Sequence, residues 1–241
     1  FSRYAEIDAK NTMLPKIRLQ HLIKLTDNFG VIQFAKNTTP DKNSGYTLDD
    51  VARGLIAISS YYTNTKDLRE LDLIKTYLNF MSFVQEKDGK LFNLVDRNRV
   101  IDKENWSEDA HSRAMWALGH LLQTPSIPES LKSEARKIID KSIGINQCIN
   151  SPRALSFLIQ GYHLYNKAFP SETNLNLIKS FASRLVEMYE DQSTPDWKWF
   201  EEKLTYDNSK LPESLFYAYL ETKNKRYLDI ATDSLNFLIS T

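Results

Sequence analysis

The stretch Ser107-Glu-Asp-Ala-His-Ser-Arg-Ala-Met-Trp-Ala-Leu-Gly119 decides the fold of this chain. Ser107 is a good helix N-cap, and Glu108 and Asp109 follow in the first turn, where the helix dipole favours acids. Beyond them the segment is apolar nearly all round and carries the small residues Ala114, Ala117 and Gly119. A helix apolar on every side is buried, whereas an amphipathic one lies outside with one face wet. The spacing therefore predicts an inner helix over 108–122.

Working outward, the same character recurs at Ala52, Gly54 and Ala57, and again at Ala154 and Gly161. Helical periodicity predicts further helices over 14–27, 49–62, 68–85, 128–144, 152–165, 174–190, 212–222 and 226–240. Several of these are amphipathic, with Lys and Glu on one face. An Asp88-Gly89 turn with apolar flanks is the one short hairpin signal. Inner helices are expected to begin near Asp50, Asp109, Pro152 and Lys210, at intervals wide enough for two helices and their loops. Gly54, Gly119 and Gly161 fall on three of them, where a missing side chain lets helices approach closely. The pattern reads as an inner ring of helices wrapped by an outer ring. An irregular helical bundle and a helical solenoid satisfy the same periodicity.

Composition narrows the function classes. The 241 residues include only 7 glycines, and no glycine-rich nucleotide loop is present. Lys+Arg and Asp+Glu are both 31, so no charge footprint for nucleic acid or an anionic membrane exists. Cys148 is alone, which excludes an intramolecular disulfide and a cysteine-based zinc site. No apolar run approaches the ~18 residues of a membrane span, and no signal peptide is visible. A cytoplasmic location is the expectation. The chain starts at Phe1 rather than Met and stops at Thr241 inside an amphipathic pattern, which also raises the expectation of a fragment.

Four segments lie at the starts of the expected inner helices. They are 45–53, 106–113, 150–153 and 196–208. Parallel inner helices bring them to one end, gathering carboxylates, arginines, a histidine and tryptophans. Aromatic faces stack on pyranose rings, and charged groups hydrogen-bond hydroxyls. Two carboxylates flanking a glycosidic bond can act as acid and base, or acid and nucleophile.

Capping competes with function in each segment. Thr47 and Asp50 are close to a capping box, Asp49 suits the helix dipole, and Arg53 can simply pair with Asp49. Glu108 and Asp109 are first-turn acids, but capping does not account for His111 and Arg113. Ser151-Pro152 is an ordinary helix start, with Arg153 as a potential ion-pair partner. A core can absorb Trp197 and Trp199, yet their neighbours Glu201, Glu202, Tyr206, Asp207 and Asn208 look like a binding surface. A histidine metal site is not supported, because His21, His120 and His163 have no ligand spacing with His111.

Segments 46–55, 107–119, 151–154 and 197–212 together resemble a bacterial group of α/α-toroid proteins. That group is similar to the six-hairpin glycosidase superfamily and is often associated with glycosyltransferases. The resemblance covers most of the chain, in order. It implies an all-α (α/α) toroid and a carbohydrate context. Ser112 stands where Gly is expected and Gly54 where Ala is expected. Such a ring needs about six hairpins, whereas this chain supplies one N-terminal helix and roughly four. A Gly-Trp-Tyr and Asp-Gln-Gln-Pro region expected after Thr241 is absent. Residues 1–241 are therefore expected to form one toroid domain, incomplete relative to a full ring.

The leading expectation is a glycoside hydrolase-like enzyme with Asp50 and Asp109 as the acid pair. Glu201 and Asp207 are further catalytic candidates, and Glu108 and Asp49 are alternates. Arg53, His111, Arg113 and Arg153 are expected to orient hydroxyls, Asn208 to bind substrate, and Trp197, Trp199 and Tyr206 to stack on sugar. No cofactor or metal is expected. The alternatives are a glycan-binding domain serving a glycosyltransferase, and a sugar epimerase or isomerase with His111 as proton-transfer group.

Overall fold

The computed structural model describes residues 16–241. Its helices are α1 (Gln20–Leu25), α2 (Leu48–Thr65), α3 (Leu68–Phe83), α4 (Glu108–Gln123), α5 (Glu129–Asn146), α6 (Pro152–Ala168), α7 (Glu172–Gln192), α8 (Lys210–Thr222) and α9 (Lys225–Ser240). Local chemistry sets their starts. The side chains of Thr47, Asp67, Ser107, Ser151, Ser171 and Asn224 each accept a hydrogen bond from a first-turn amide. Each such cap is worth about 1 kcal/mol.

Helices α2 to α9 form four hairpins. Helix α2 packs on α4, α4 on α6, and α6 on α8, while α3, α5, α7 and α9 each back their hairpin partner. The inner helices thus form an arc with an outer layer behind it, as expected for an α/α toroid. Helix α6 is buried without interruption from Arg153 to His163, because α4, α7 and α8 surround it. The close approach of α4 and α6 requires glycine. A Cβ on Gly119 would lie 2.2 Å from the Gly161 carbonyl oxygen, and one on Gly161 would lie 2.8 Å from the Met115 carbonyl. A Cβ on Gly54 would lie 3.2 Å from the Tyr77 ring on the outer helix α3, so the close approach there is to the hairpin partner rather than to another inner helix.

Two local expectations change. The helix expected over 14–27 is only Gln20–Leu25 within the described residues, and Leu14 lies outside them. The Asp27 carboxylate accepts bonds from the Phe29 and Gly30 amides, at 2.8 and 3.2 Å. That turn diverts the chain where the apolar stripe would continue a helix. The Asp88-Gly89 turn is real, with Gly89 at φ 92°, but it closes a single bridge between Gln85 and Leu91. Two short antiparallel pairs were not legible in the sequence. β1 (Ala35–Lys36) pairs with β2 (Thr39–Pro40), and β3 (Tyr46–Thr47) with β4 (Leu94–Val95). The second pair leads directly into α2 and fixes its first turn. No helix among the described residues is long and apolar enough to cross a membrane.

Candidate functional site

The N-termini of α2, α4 and α6 and the loop before α8 meet at one end of the arc, and side chains from all four segments bind one another. Arg113 is the hub. It is 5 % exposed, its Nε lies 2.5 Å from Asp49, and its Nη2 donates to Asp207 at 2.9 Å. Its guanidinium lies 4.1 Å above the buried Phe157 ring. One arginine of α4 thereby joins the start of α2 to the loop before α8.

Arg153 pins the same loop from α6. It is 3 % exposed, and its Nη1 donates to both Glu201 oxygens, at 2.8 and 2.7 Å. Its Nη2 donates to Asn208 Oδ1 at 3.1 Å, its Nε donates to the Tyr206 carbonyl, and its guanidinium faces the Tyr206 ring at 4.7 Å. Both arginines are committed to protein partners, as buried charges require. Asp207 adopts φ 48°, a left-handed conformation unusual outside glycine, and its bond to Arg113 helps hold it there.

The first turn of α4 divides its two acids. Glu108 Oε2 accepts from the amides of Asn150 and Ser151, at 2.9 and 2.7 Å, and so serves the entry into α6. Asp109 accepts from the Ser151 hydroxyl at 3.0 Å and from the Tyr206 hydroxyl. Neither of these two donors is charged. Burial and the bond to Asp109 push the Tyr206 phenol up to about 12. Asp49 is the other distinctive acid. Partial burial raises its pKa above the ordinary carboxylate value, against the pull of Arg113 and Arg53.

Several expected site residues have structural roles instead. The Asp50 carboxylate turns back to accept the Thr47 hydroxyl at 2.7 Å while its amide donates to that hydroxyl at 3.1 Å. At the third helical position that cap is its nearest partner. His111 is not a ligand-facing group. It is fully buried, its Nδ1 accepts the Leu91 amide at 3.2 Å, and its Nε2 lies 2.7 Å from Asn146 Oδ1. Burial lowers its pKa to about 4, so the ring is neutral at pH 7. Trp199 does not form a stacking surface. It is fully buried beside Phe200 and Phe237, where apolar packing claims it. Trp197 packs edge-on against Phe237 at 5.0 Å and donates its indole N–H to the Glu201 carbonyl at 2.7 Å. Of the three expected stacking rings, Tyr206 is the exposed one, at 55 %. Arg53 is also open, with 54 % of its side chain exposed and Asp49 as partner at 2.7 Å.

Two residues outside the expected set, Trp116 and Lys210, lie beside the cluster. Trp116 sits one turn beyond Arg113 on the same face of α4, and its ring is parallel to that of Phe157. Lys210, the first residue of α8, holds its ammonium 4.5 Å from the Trp116 ring. The i, i+3 spacing from Arg113 was the available signal.

The arc and its N-terminal cluster define an α/α-toroid protein. Solved structures share this fold. A cellobiose 2-epimerase from Bacillus thermoamylovorans aligns over 91 % of this chain and 68 % of its own, with TM-score 0.69 and 14 % identity. A sugar epimerase from a ruminal bacterium aligns over 89 % and 66 %, with TM-score 0.64 and 14 % identity. The cellobiose 2-epimerase of Spirochaeta thermophila aligns over 92 % and 81 %, with TM-score 0.57 and 10 % identity. This chain spans about two thirds of the length of the first two. No protein-family model matches the sequence, and no curated protein matches it.

Proposed function

We propose that this chain is a sugar-processing protein whose chemistry is epimerisation or isomerisation, at the cluster where the inner helices begin. The observation that carries the reading is the meeting of all four segments at that end, in a fold shared with sugar epimerases. Moving a stereocentre requires a group that removes a proton and one that returns it. We do not assign His111 to this role, because it is buried with both ring nitrogens bonded. Asp49 and Asp109 are the groups we assign. Asp49 combines a raised pKa with a half-buried position, which suits proton exchange nearer neutral pH. Asp109 is held by neutral donors and borders the exposed Tyr206. We assign Arg53, whose side chain is 54 % exposed beside Asp49, to orient a hydroxyl.

The test is incubation with reducing sugars and disaccharides, cellobiose included, in D2O. Epimerisation yields a new isomer of unchanged composition, with deuterium at the reacting carbon wherever the proton exchanges with solvent. Asp109→Asn should abolish it while the melting temperature stays near wild type. Hydrolysis is the second reading, favoured by the upward shift that burial gives the Asp49 carboxyl, with Asp109 as a second acid; released monosaccharide would select it. Saccharide binding without any product would select a glycan-binding or glycosyltransferase-accessory role.

A further inference from the structure

The concave face of the inner helices carries polar groups beyond the N-terminal cluster. On α6, Gln160 is 2 % exposed, and its Nε2 has no hydrogen-bond partner among the described residues. A buried amide donor left unpaired costs stability, so it is uncommon without a reason. The other end of that carboxamide, Oε1, faces the Lys210 ammonium at 3.5 Å. The same ammonium binds Glu213 at 2.7 Å and covers the Trp116 ring at 4.5 Å. Trp116 is partly exposed, and Phe157 backs it in a parallel arrangement with centroids 5.8 Å apart.

These four residues combine an aromatic face, a cation, an acceptor carboxylate and a spare buried donor. We propose that Trp116, Gln160, Lys210 and Glu213 form a second saccharide-ring subsite on the concave wall. It rests on the saccharide reading above and extends it, because the substrate then has at least two rings. The first ring lies at the Asp49–Asp109 end. The second stacks on Trp116 and displaces the Lys210 ammonium, which keeps Glu213 as its partner. A hydroxyl of that ring accepts the free Gln160 N–H. Gln160 lies two turns beyond Arg153 on α6, roughly 10 Å along the axis. That offset separates two ring positions rather than two contacts to one ring.

Calorimetry of the full chain tests the subsite, using glucose, mannose and N-acetylglucosamine with their α- and β-linked dimers. In the wild type a dimer should bind at least about 10-fold more tightly than its monomer. Trp116→Ala should remove that advantage and leave monomer affinity within about twofold. Gln160→Leu guards against a folding artefact. It removes an unpaired buried amide, so its melting temperature should hold or rise, yet dimer affinity should fall about 3- to 10-fold, the worth of one hydrogen bond. If both variants leave the dimer advantage intact, or weaken monomers and dimers equally, the subsite is wrong while the saccharide reading stands. If no sugar of either length binds the wild type, the saccharide reading itself fails and the subsite falls with it.

Discussion

His111 offers a sharp quantitative test, because the structure gives it a stability role that depends on pH. The ring accepts the Leu91 amide through Nδ1 and faces the Asn146 oxygen through Nε2, which fixes the neutral tautomer with its proton on Nε2. A second proton would have to sit on Nδ1, where it would oppose the Leu91 N–H. Burial is the main cause of a folded pKa near 4, against 6.5 for the free side chain. The shift corresponds to about 3 kcal/mol. Because the folded pKa is depressed, this stabilisation is fully present above pH 6.5 and is lost as pH falls through about 4. At pH 5 about 2 kcal/mol should already be gone. Other groups titrate in the same window, so the measurement is a difference between wild type and His111→Gln. Urea unfolding of both at pH 7.5 and pH 5 should show wild type's advantage shrinking by about 2 kcal/mol, equivalent to roughly 4–8 °C in melting temperature. An advantage that stays constant between those two pH values would refute the buried neutral histidine.

Arg153→Met keeps the aliphatic stem but frees Glu201, Asn208 and the Tyr206 carbonyl. Glu201 retains 26 % side-chain exposure, so we expect the low end of the loss for a broken buried pair, about 3 kcal/mol. Thermal melts should fall by roughly 6–12 °C, and trypsin should cut faster at the exposed Lys203 in the released loop. Gly161→Ala places a Cβ 2.8 Å from the Met115 backbone, which cannot swing aside. Overpacking should cost about 1–3 kcal/mol in a urea titration, and an unchanged midpoint would mean that α4 and α6 have slack.

The helices were legible because their determinants are local. Ser107, Ser151 and Thr47 are caps readable from neighbouring residues, and the apolar all-round pattern of 114–119 marks a buried helix. The gathering of the four segments followed from parallel inner helices alone. Roles inside the cluster were not legible, because they depend on partners distant in sequence. His111 is structural because Asn146 and Leu91 close over its two nitrogens. Neither partner is visible from the segment around it. Asp49 and Asp50 are adjacent and equally acidic in the sequence. Successive helical positions point about 100° apart, so one meets Arg113 and the other returns to Thr47. The charged neighbours of Trp199 suggest a surface ring, yet α9 supplies the Phe237 that packs against it.

Acids at the start of a buried helix are drawn in two directions, toward the helix dipole and its orphan amides, and toward any ligand that docks there. At this end of the arc the two uses can be separated. Asp50 is taken by its own cap, and Glu108 by the amides entering α6. Glu201 and Asp207 neutralise buried arginines. Among the described residues Asp109 is bonded only to two hydroxyls, and Asp49 carries a raised pKa despite two guanidiniums. A ligand therefore competes most easily for Asp109, where it displaces neutral donors rather than an ion pair. On the proposed function, Asp109→Asn should cost at least about 100-fold in turnover, the usual worth of a proton-transfer group. Asp50→Asn should lower stability by about 1 kcal/mol and leave turnover within a few-fold. Equal losses of turnover in the two variants would mean that the cap and the site are one structure, and that Asp109 has no chemical role of its own.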